Sequence, residues 1–169
     1  MFVLNRDRAF TLVELLIVVV VLGILAGIVL PSFTSSTEDT KVSATVQNLQ
    51  TIRAALDLYK VQHNDKYPGY PVGGGTPTQA LATDQLILAS KADGSTAAPG
   101  TAGFGYGPYI RERLPENPIN GRNDILIVLD GAAFPAADNT TGWIYQPQLG
   151  KVRANSTGTA PSGRNYYDF

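Results

Sequence analysis

The chain has 169 residues with 13 basic and 14 acidic side chains, and its net charge of −1 gives no sign of a broad nucleic-acid-binding surface. It has no cysteine, which excludes disulfides and thiolate chemistry, and its single histidine, His63, leaves little scope for histidine-based catalysis or transition-metal binding. The length allows one domain plus an anchor, but not two ordinary domains.

The first thirty residues combine a short basic leader with an apolar run. Arg6 and Arg8 precede the run, which extends from Phe10 to Pro31 and contains one acid, Glu14. Its length of about 20 residues is sufficient for a bilayer-spanning helix. Because the basic residues come first, the positive-inside rule places the N-terminus in the cytoplasm. A carboxylate within hydrocarbon costs a few kcal/mol, so Glu14 is a candidate functional residue that needs a cationic partner.

The residues alone leave two interpretations of this segment open. In one, it is an uncleaved signal anchor, and the Glu14 carboxylate reaches water at the membrane interface. In the other, cleavage just before Phe10 creates an amino group that pairs with Glu14. Two interpretations are also open for the small or helix-breaking residues Gly23, Gly27 and Pro31. They are common in membrane helices, but they also permit close helix packing or local unwinding.

The residue order favours the second interpretation. A basic leader, the small residue Ala9, the stretch Phe10-Thr-Leu-x-Glu14-Leu, an apolar run and Pro31 together resemble the class III signal of type IV pilins and type II secretion pseudopilins. Ala9 stands where that family usually has glycine. The resemblance implies cleavage between Ala9 and Phe10 by a prepilin peptidase, N-methylation of Phe10, and pairing of Glu14 with the Phe10 amine of a neighbouring subunit.

The same resemblance implies partners and a location. The partners are further copies of the chain in a helical homopolymer, other pseudopilins, the prepilin peptidase, an inner-membrane assembly platform and the lipid bilayer; no nucleic acid is expected. The chain would cross the inner membrane once with its N-terminus in the cytoplasm. Its globular part would lie in the periplasm, or outside the cell in a filament.

A helical period follows the apolar run. Apolar residues recur at three- and four-residue steps, namely Val42, Val46, Leu49, Ile52, Leu56 and Tyr59. This pattern predicts an amphipathic helix of about 20 residues. It should continue the membrane helix apart from a kink near Pro31, bury its apolar stripe in a core and end around residues 63–65. His63 is interpreted as a polar cap near the negative end of the helix dipole.

The remaining residues favour loops and short strands. A short helix is predicted within Gln79–Ser90, a loop over 91–107, a strand at Ile125–Leu129, and two strands joined by a tight turn over 143–154. The Tyr-Pro turn at residues 67–68 and the late aromatic hairpin resemble those of the major pseudopilin of type II secretion.

The predicted fold is α+β and pilin-like. A long N-terminal helix, half transmembrane and half amphipathic, packs on a small antiparallel sheet of three or so strands with long loops. The predicted domains are a cleaved leader at 1–9, a transmembrane or filament-core helix at 10–31, its amphipathic continuation at 32–66, and a globular region at 67–169.

One metal site is a candidate in the globular region. Calcium prefers carboxylate, carbonyl and amide oxygens, and Asp130, Asp138, Asn139 and Thr141 could supply such oxygens in the loop before Trp143. The resemblance implies a calcium site in this late loop. No other cofactor is expected. The residues contain no nucleophile elbow, phosphate loop or histidine-pair metal motif, so no catalytic residue is assigned.

The predicted function is therefore a structural, non-enzymatic subunit of a type II secretion-like pseudopilus. The first alternative is a type IV pilin, either major or minor. A DNA-uptake pilin would need a basic patch, for which Arg111, Arg113 and Arg122 are the nearest candidates; their acidic neighbours favour a solvated face instead. The second alternative, a membrane-anchored periplasmic enzyme or binding protein, has no motif in its favour.

Overall fold

The computed structural model describes residues 10–169, except for the side chains of 27–36. The predicted leader at 1–9 lies outside these residues. The chain divides into two compact units, Met1–Glu38 and Asp39–Phe169. Helix α1, Leu12–Gln62, contributes residues to both units. The side chains around Pro31 are not described, so the kink predicted there stays a prediction.

Among the residues whose side chains the structure describes, no helical segment is long and apolar enough to cross a membrane.

The end of α1 lies where the sequence predicts it. Asn64 and Asp65 adopt φ angles of 53° and 64°, in the left-handed region that asparagine and aspartate tolerate better than most residues. The backbone N–H of Asp65 donates to the carbonyl of Lys60 at 3.1 Å, which satisfies an acceptor that the helix leaves open. The predicted C-terminus around residues 63–65 is therefore confirmed.

The core of the second unit forms between the apolar stripe of α1 and a three-stranded sheet. Leu49, Ile52, Leu56 and Tyr59 are all buried, whereas Val42 and Val46 are half-buried. The first three belong to one cluster with Trp143, Tyr145, Val152 and Ala154 of the sheet. The stripe is therefore core, as its period predicts.

The sheet contains β3 (Ile125–Ile127), β4 (Trp143–Gln146) and β5 (Lys151–Ala154), in the order β3-β4-β5. The tight turn predicted between the last two strands is confirmed, since β4 and β5 pair antiparallel. The prediction of an all-antiparallel sheet is wrong, because β3 pairs with β4 in parallel. A hairpin forces antiparallel pairing, but the long connection 128–142 lets the chain return before β4 begins.

Helix α2 (Gln79–Ile87) begins after Thr78, whose hydroxyl accepts the backbone N–H of Leu81 at 3.3 Å. It leads into a two-stranded antiparallel sheet, β1 (Ala89–Ser90) and β2 (Thr96–Ala97), and β2 lies within the predicted loop 91–107. The buried side chain of Gln85 accepts from the N–H of Gly69 at 2.7 Å and donates to the carbonyl of Gly94 at 2.9 Å. One helix residue thus connects the Tyr-Pro turn to the β1–β2 hairpin.

The C-terminal segment is packed rather than loose. The Arg53 guanidinium of α1 donates to the carbonyls of Val152 at 3.2 Å and Phe169 at 2.8 Å. The hydroxyl of Tyr167 donates to the carbonyl of Pro135 at 2.7 Å, and Tyr166 is buried. These contacts hold the last residues against α1 and β5.

Candidate assembly site

Glu14 lies in the first turn of α1, where it forms a capping box with Thr11. Its Oε2 accepts the Thr11 N–H at 2.9 Å and the Thr11 hydroxyl at 2.8 Å, while the Thr11 Oγ1 accepts the N–H of Glu14 at 3.2 Å. These reciprocal bonds satisfy donors that the start of a helix leaves unpaired. The carboxylate is therefore held by its own chain, and both contacts use one of its two oxygens.

Exposed apolar side chains surround this acid on every face of the helix. All twelve large hydrophobic residues between Leu12 and Leu25 are between 47% and 79% exposed, and Phe10 is 74% exposed. A helix that is apolar all round is normally covered by protein or lipid. Apolar surface of this extent indicates an interaction site.

The other predicted residues of this segment are only partly described. An added Cβ at Gly23 would meet no atom within 4 Å, so Gly23 leaves open space beside the helix. Gly27 and Pro31 belong to α1, but the surroundings of their side chains are not described, and Ala9 lies outside the described residues. The processing, pairing and packing roles of these residues stay predictions.

His63, predicted to be a polar cap of α1, is a buried residue at the end of that helix. It is 2% exposed, and its ring stacks on Tyr59 with centroids 3.6 Å apart. Nδ1 lies 2.8 Å from the Tyr59 carbonyl and Nε2 lies 3.0 Å from the Ser90 hydroxyl. Burial lowers its pKa, an effect opposed by the Tyr59 and Lys91 backbone groups and by Asp93. The ring bonds a carbonyl of the last turn, as a cap would, but it does so from inside the core.

The candidate calcium ligands are divided between two places. Asp130 accepts a hydrogen bond from the Tyr70 hydroxyl at 2.6 Å. Asp138 and Thr141 instead contact Asn155, and Asn139 pairs with Thr157. Among the side chains that the structure describes, no group of three or more histidine, cysteine, aspartate or glutamate residues could hold a metal ion. Calcium binding stays a prediction.

The candidate basic residues of the DNA-uptake alternative are exposed. Arg111, Arg113 and Arg122 all lie at the surface, and so does Glu116 among them. The buried hydrogen bonds of this region are made by other side chains, for example from the Trp143 indole to the carbonyl of Pro115 at 2.8 Å. The three arginines are therefore free of a structural role in the core, as a solvated face would be.

Comparison with known proteins decides the family. The Prokaryotic N-terminal methylation motif matches residues 4–30. The chain is 35% identical to the type II secretion system core protein G of Klebsiella pneumoniae over 68% of its own length and 71% of that protein. The chain belongs to this core protein G family. The corresponding protein of Aeromonas hydrophila is 35% identical over 68% of each chain, and that of Escherichia coli strain K12 is 30% identical over 75% of each. No solved structure matches the chain.

Membership of the core protein G family confirms the predicted function. The chain is a structural pseudopilin and not an enzyme. Its relatives are type II secretion proteins and not type IV pilins, which was the first alternative. Membership also implies assembly with other pseudopilins in a pseudopilus, and a membrane-associated or periplasmic location.

Sequence reasoning missed two residues in this pseudopilin, Thr11 and Asn155. Thr11 was not assigned a role, although Thr-x-x-Glu before an apolar run is the signature of a capping box. Asn155 was not singled out as a structural residue either, although it is fully buried and contacts Asp138. No local pattern identifies Asn155, because its partners lie well before it in the chain.

Proposed function

We propose that this pseudopilin is cut between Ala9 and Phe10, methylated on Phe10, and polymerised through α1, with Glu14 paired to the Phe10 amine of a neighbouring subunit. Before polymerisation, residues 10–31 span the inner membrane once, with the leader in the cytoplasm and the second unit in the periplasm. The prepilin peptidase and an inner-membrane platform act on the chain at this stage. Copies of the chain and other pseudopilins are its partners in the filament.

The observation that carries this proposal is a single acid among exposed apolar side chains. Lipid tails or the apolar side chains of neighbouring helices can cover Leu12 to Leu25, but neither supplies a charge for Glu14. A buried carboxylate is costly alone and much less costly beside a cation. The capping box uses Oε2 of Glu14. The amine of a neighbouring Phe10 would therefore approach Oε1, and only one stagger between adjacent helices would allow it.

Three substitutions separate pairing from capping. Glu14→Gln keeps an acceptor for Thr11 but removes the charge, whereas Thr11→Ala removes the cap and keeps the charge. Glu14→Ala removes both. Breaking a buried charge pair costs about 3–5 kcal/mol, which corresponds to at least a hundredfold loss of incorporation. Loss of a cap costs about 0.5–2 kcal/mol.

Incorporation is measured as the fraction of subunit in sheared, sedimented filaments, with carbonate extraction as the control for membrane insertion. We expect Glu14→Gln to block incorporation as fully as Glu14→Ala, while Thr11→Ala still assembles. Normal assembly of Glu14→Gln would mean that the carboxylate serves only as a cap. Mass spectrometry of the extracted protein should show methylated Phe10 at the N-terminus, and an intact Met1 would refute processing.

A further inference from the structure

The connection between β3 and β4 is fastened by the side-chain amides of four asparagines, here called the asparagine clasp: Asn117, Asn120, Asn139 and Asn155. This connection is where the sequence predicts calcium ligands. Oxygen atoms that accept hydrogen bonds from the asparagine clasp are not available to coordinate a cation at this connection.

Asn155 is the central member of the clasp. It is 0% exposed, and its Oδ1 accepts the backbone N–H of Asp138 at 2.8 Å. A backbone N–H can only donate, so this bond fixes which end of the amide is oxygen. The Nδ2 group consequently points at Oδ1 of Asp138 and Oγ1 of Thr141, both at 2.8 Å. The amide N–H groups lie between the two side-chain oxygens that a cation would need.

Two backbone carbonyls of the same segment, and the side chain of Asn139, are also bonded. Asn117 donates to the carbonyl of Gly142 at 2.8 Å, and Asn120 donates to the carbonyl of Thr141 at 2.8 Å. Asn139 donates to the Thr157 hydroxyl at 2.6 Å and accepts the Thr157 N–H at 3.1 Å. The carbonyl oxygens of Thr141 and Gly142 thus face amide donors of the protein itself.

A loop whose oxygens face the N–H groups of asparagine side chains does not fit a calcium site. Calcium takes six to eight oxygen ligands at about 2.3–2.6 Å. A cation between Asp138 and Thr141 would lie against the N–H groups of Asn155, and turning that amide over would leave the Asp138 N–H facing another N–H. The remaining candidate carboxylate, Asp130, is bonded to Tyr70 instead. We propose that the asparagine clasp closes this loop without a divalent cation, so that the pseudopilin is stable in the absence of calcium.

The first test uses the wild-type full chain in detergent. Trp143 is the single tryptophan, is fully buried and directly follows the loop, so its fluorescence reports unfolding at the clasp. We expect the same melting temperature in chelator and in about 1 mM calcium, whereas a site with a dissociation constant of about 10⁻⁴ M would raise it by roughly 3–6 °C. A rise of that size would overturn the proposal.

The second test is Asn155→Asp, which replaces the donor with a carboxylate facing Asp138. In chelator, we expect the melting temperature to fall by roughly 4–8 °C, because a buried hydrogen bond is lost and two like charges face each other. Calcium should then recover part of the loss, because the variant presents oxygens where the wild type presents N–H groups.

The matched control is Asn123→Asp, which adds the same charge in the same unit at a half-buried residue outside the clasp. It should shift the melting temperature little and should not respond to calcium. If Asn155→Asp and Asn123→Asp had the same melting temperature in chelator, Asn155 would not be stabilising the loop. If Asn155→Asp did not fold, the wild-type comparison would still decide whether calcium is needed.

Discussion

Gly150→Ala should be the most damaging small substitution in the β4–β5 hairpin. Gly150 has φ +62° and follows the 3-10 turn Pro147–Leu149 that leads from β4 to β5. A Cβ at this position would lie 2.1 to 2.5 Å from three ring atoms of Tyr67. Moving that ring away would disturb its packing against the core and its contact with the Lys60 Nζ, which lies 4.9 Å from the ring centroid. The substitution would separate the hairpin from the Tyr-Pro turn.

The expected cost has two parts. A side chain in the left-handed region costs about 1–2 kcal/mol, partly offset by about 0.4–1 kcal/mol because alanine restricts the unfolded chain. Forcing the Tyr67 ring aside costs about 1–3 kcal/mol, as in other overpacked sites. The sum is a loss of about 1–5 kcal/mol in the free energy of unfolding, or roughly 3–20 °C in melting temperature.

Gly131→Ala is the matched control, since Gly131 has φ +75° and an added Cβ there would meet nothing within 4 Å. Both variants are measured by thermal unfolding through Trp143 fluorescence. The excess cost of Gly150→Ala over Gly131→Ala is the steric part, and it should disappear when Gly150→Ala is combined with Tyr67→Ala. Equal costs for the two glycines, or an excess that survives removal of the ring, would refute the reasoning.

Two further predictions concern buried polar groups. Because burial lowers the pKa of His63, the unfolded chain binds a proton at higher pH than the folded chain. The contribution of His63 to the free energy of unfolding should be full above about pH 6.5 and should fall as the pH decreases toward the lowered pKa. In denaturant titrations, His63→Asn should reduce the dependence of the free energy of unfolding on pH. An unchanged dependence would assign it to other groups. Tyr145→Phe removes a buried hydrogen bond of 3.0 Å to the carbonyl of Pro68 and should cost about 1–3 kcal/mol. Tyr70→Phe, whose hydroxyl bonds the exposed Asp130, should cost less in the same assay, and equal costs would contradict the role of burial.

The elements that the sequence predicts well are those whose signal is local. The three- and four-residue spacing of Leu49, Ile52 and Leu56 identifies the buried face of α1, because a helix core stripe follows directly from 3.6 residues per turn. The end of the helix is equally local, since Asn64 and Asp65 tolerate the left-handed backbone there. The aromatic hairpin of β4 and β5 is close in sequence and is also predicted.

The features that the sequence does not predict depend on distant partners. Strand β3 pairs in parallel with β4 because of the path that residues 128–142 take, and a β-branched run carries no information on the direction of its neighbour. His63 is buried because Ser90 and Tyr106, which lie far along the chain, contact its ring. In the candidate assembly site, the family signature predicts a pairing role for Glu14. The hydrogen bonds between Thr11 and Glu14 follow from a different pattern in the same residues, the capping box.

The Thr11–Glu14 capping box also has a consequence for a subunit that has not yet joined a filament. Under the proposed function, such a subunit holds its acid in lipid before any neighbour arrives. The N–H and the hydroxyl of Thr11 donate hydrogen bonds to the carboxylate in place of water, which reduces the free-energy cost of holding Glu14 in the bilayer. Newly made subunits could therefore accumulate as a stable reservoir, and filament growth need not be timed to their synthesis.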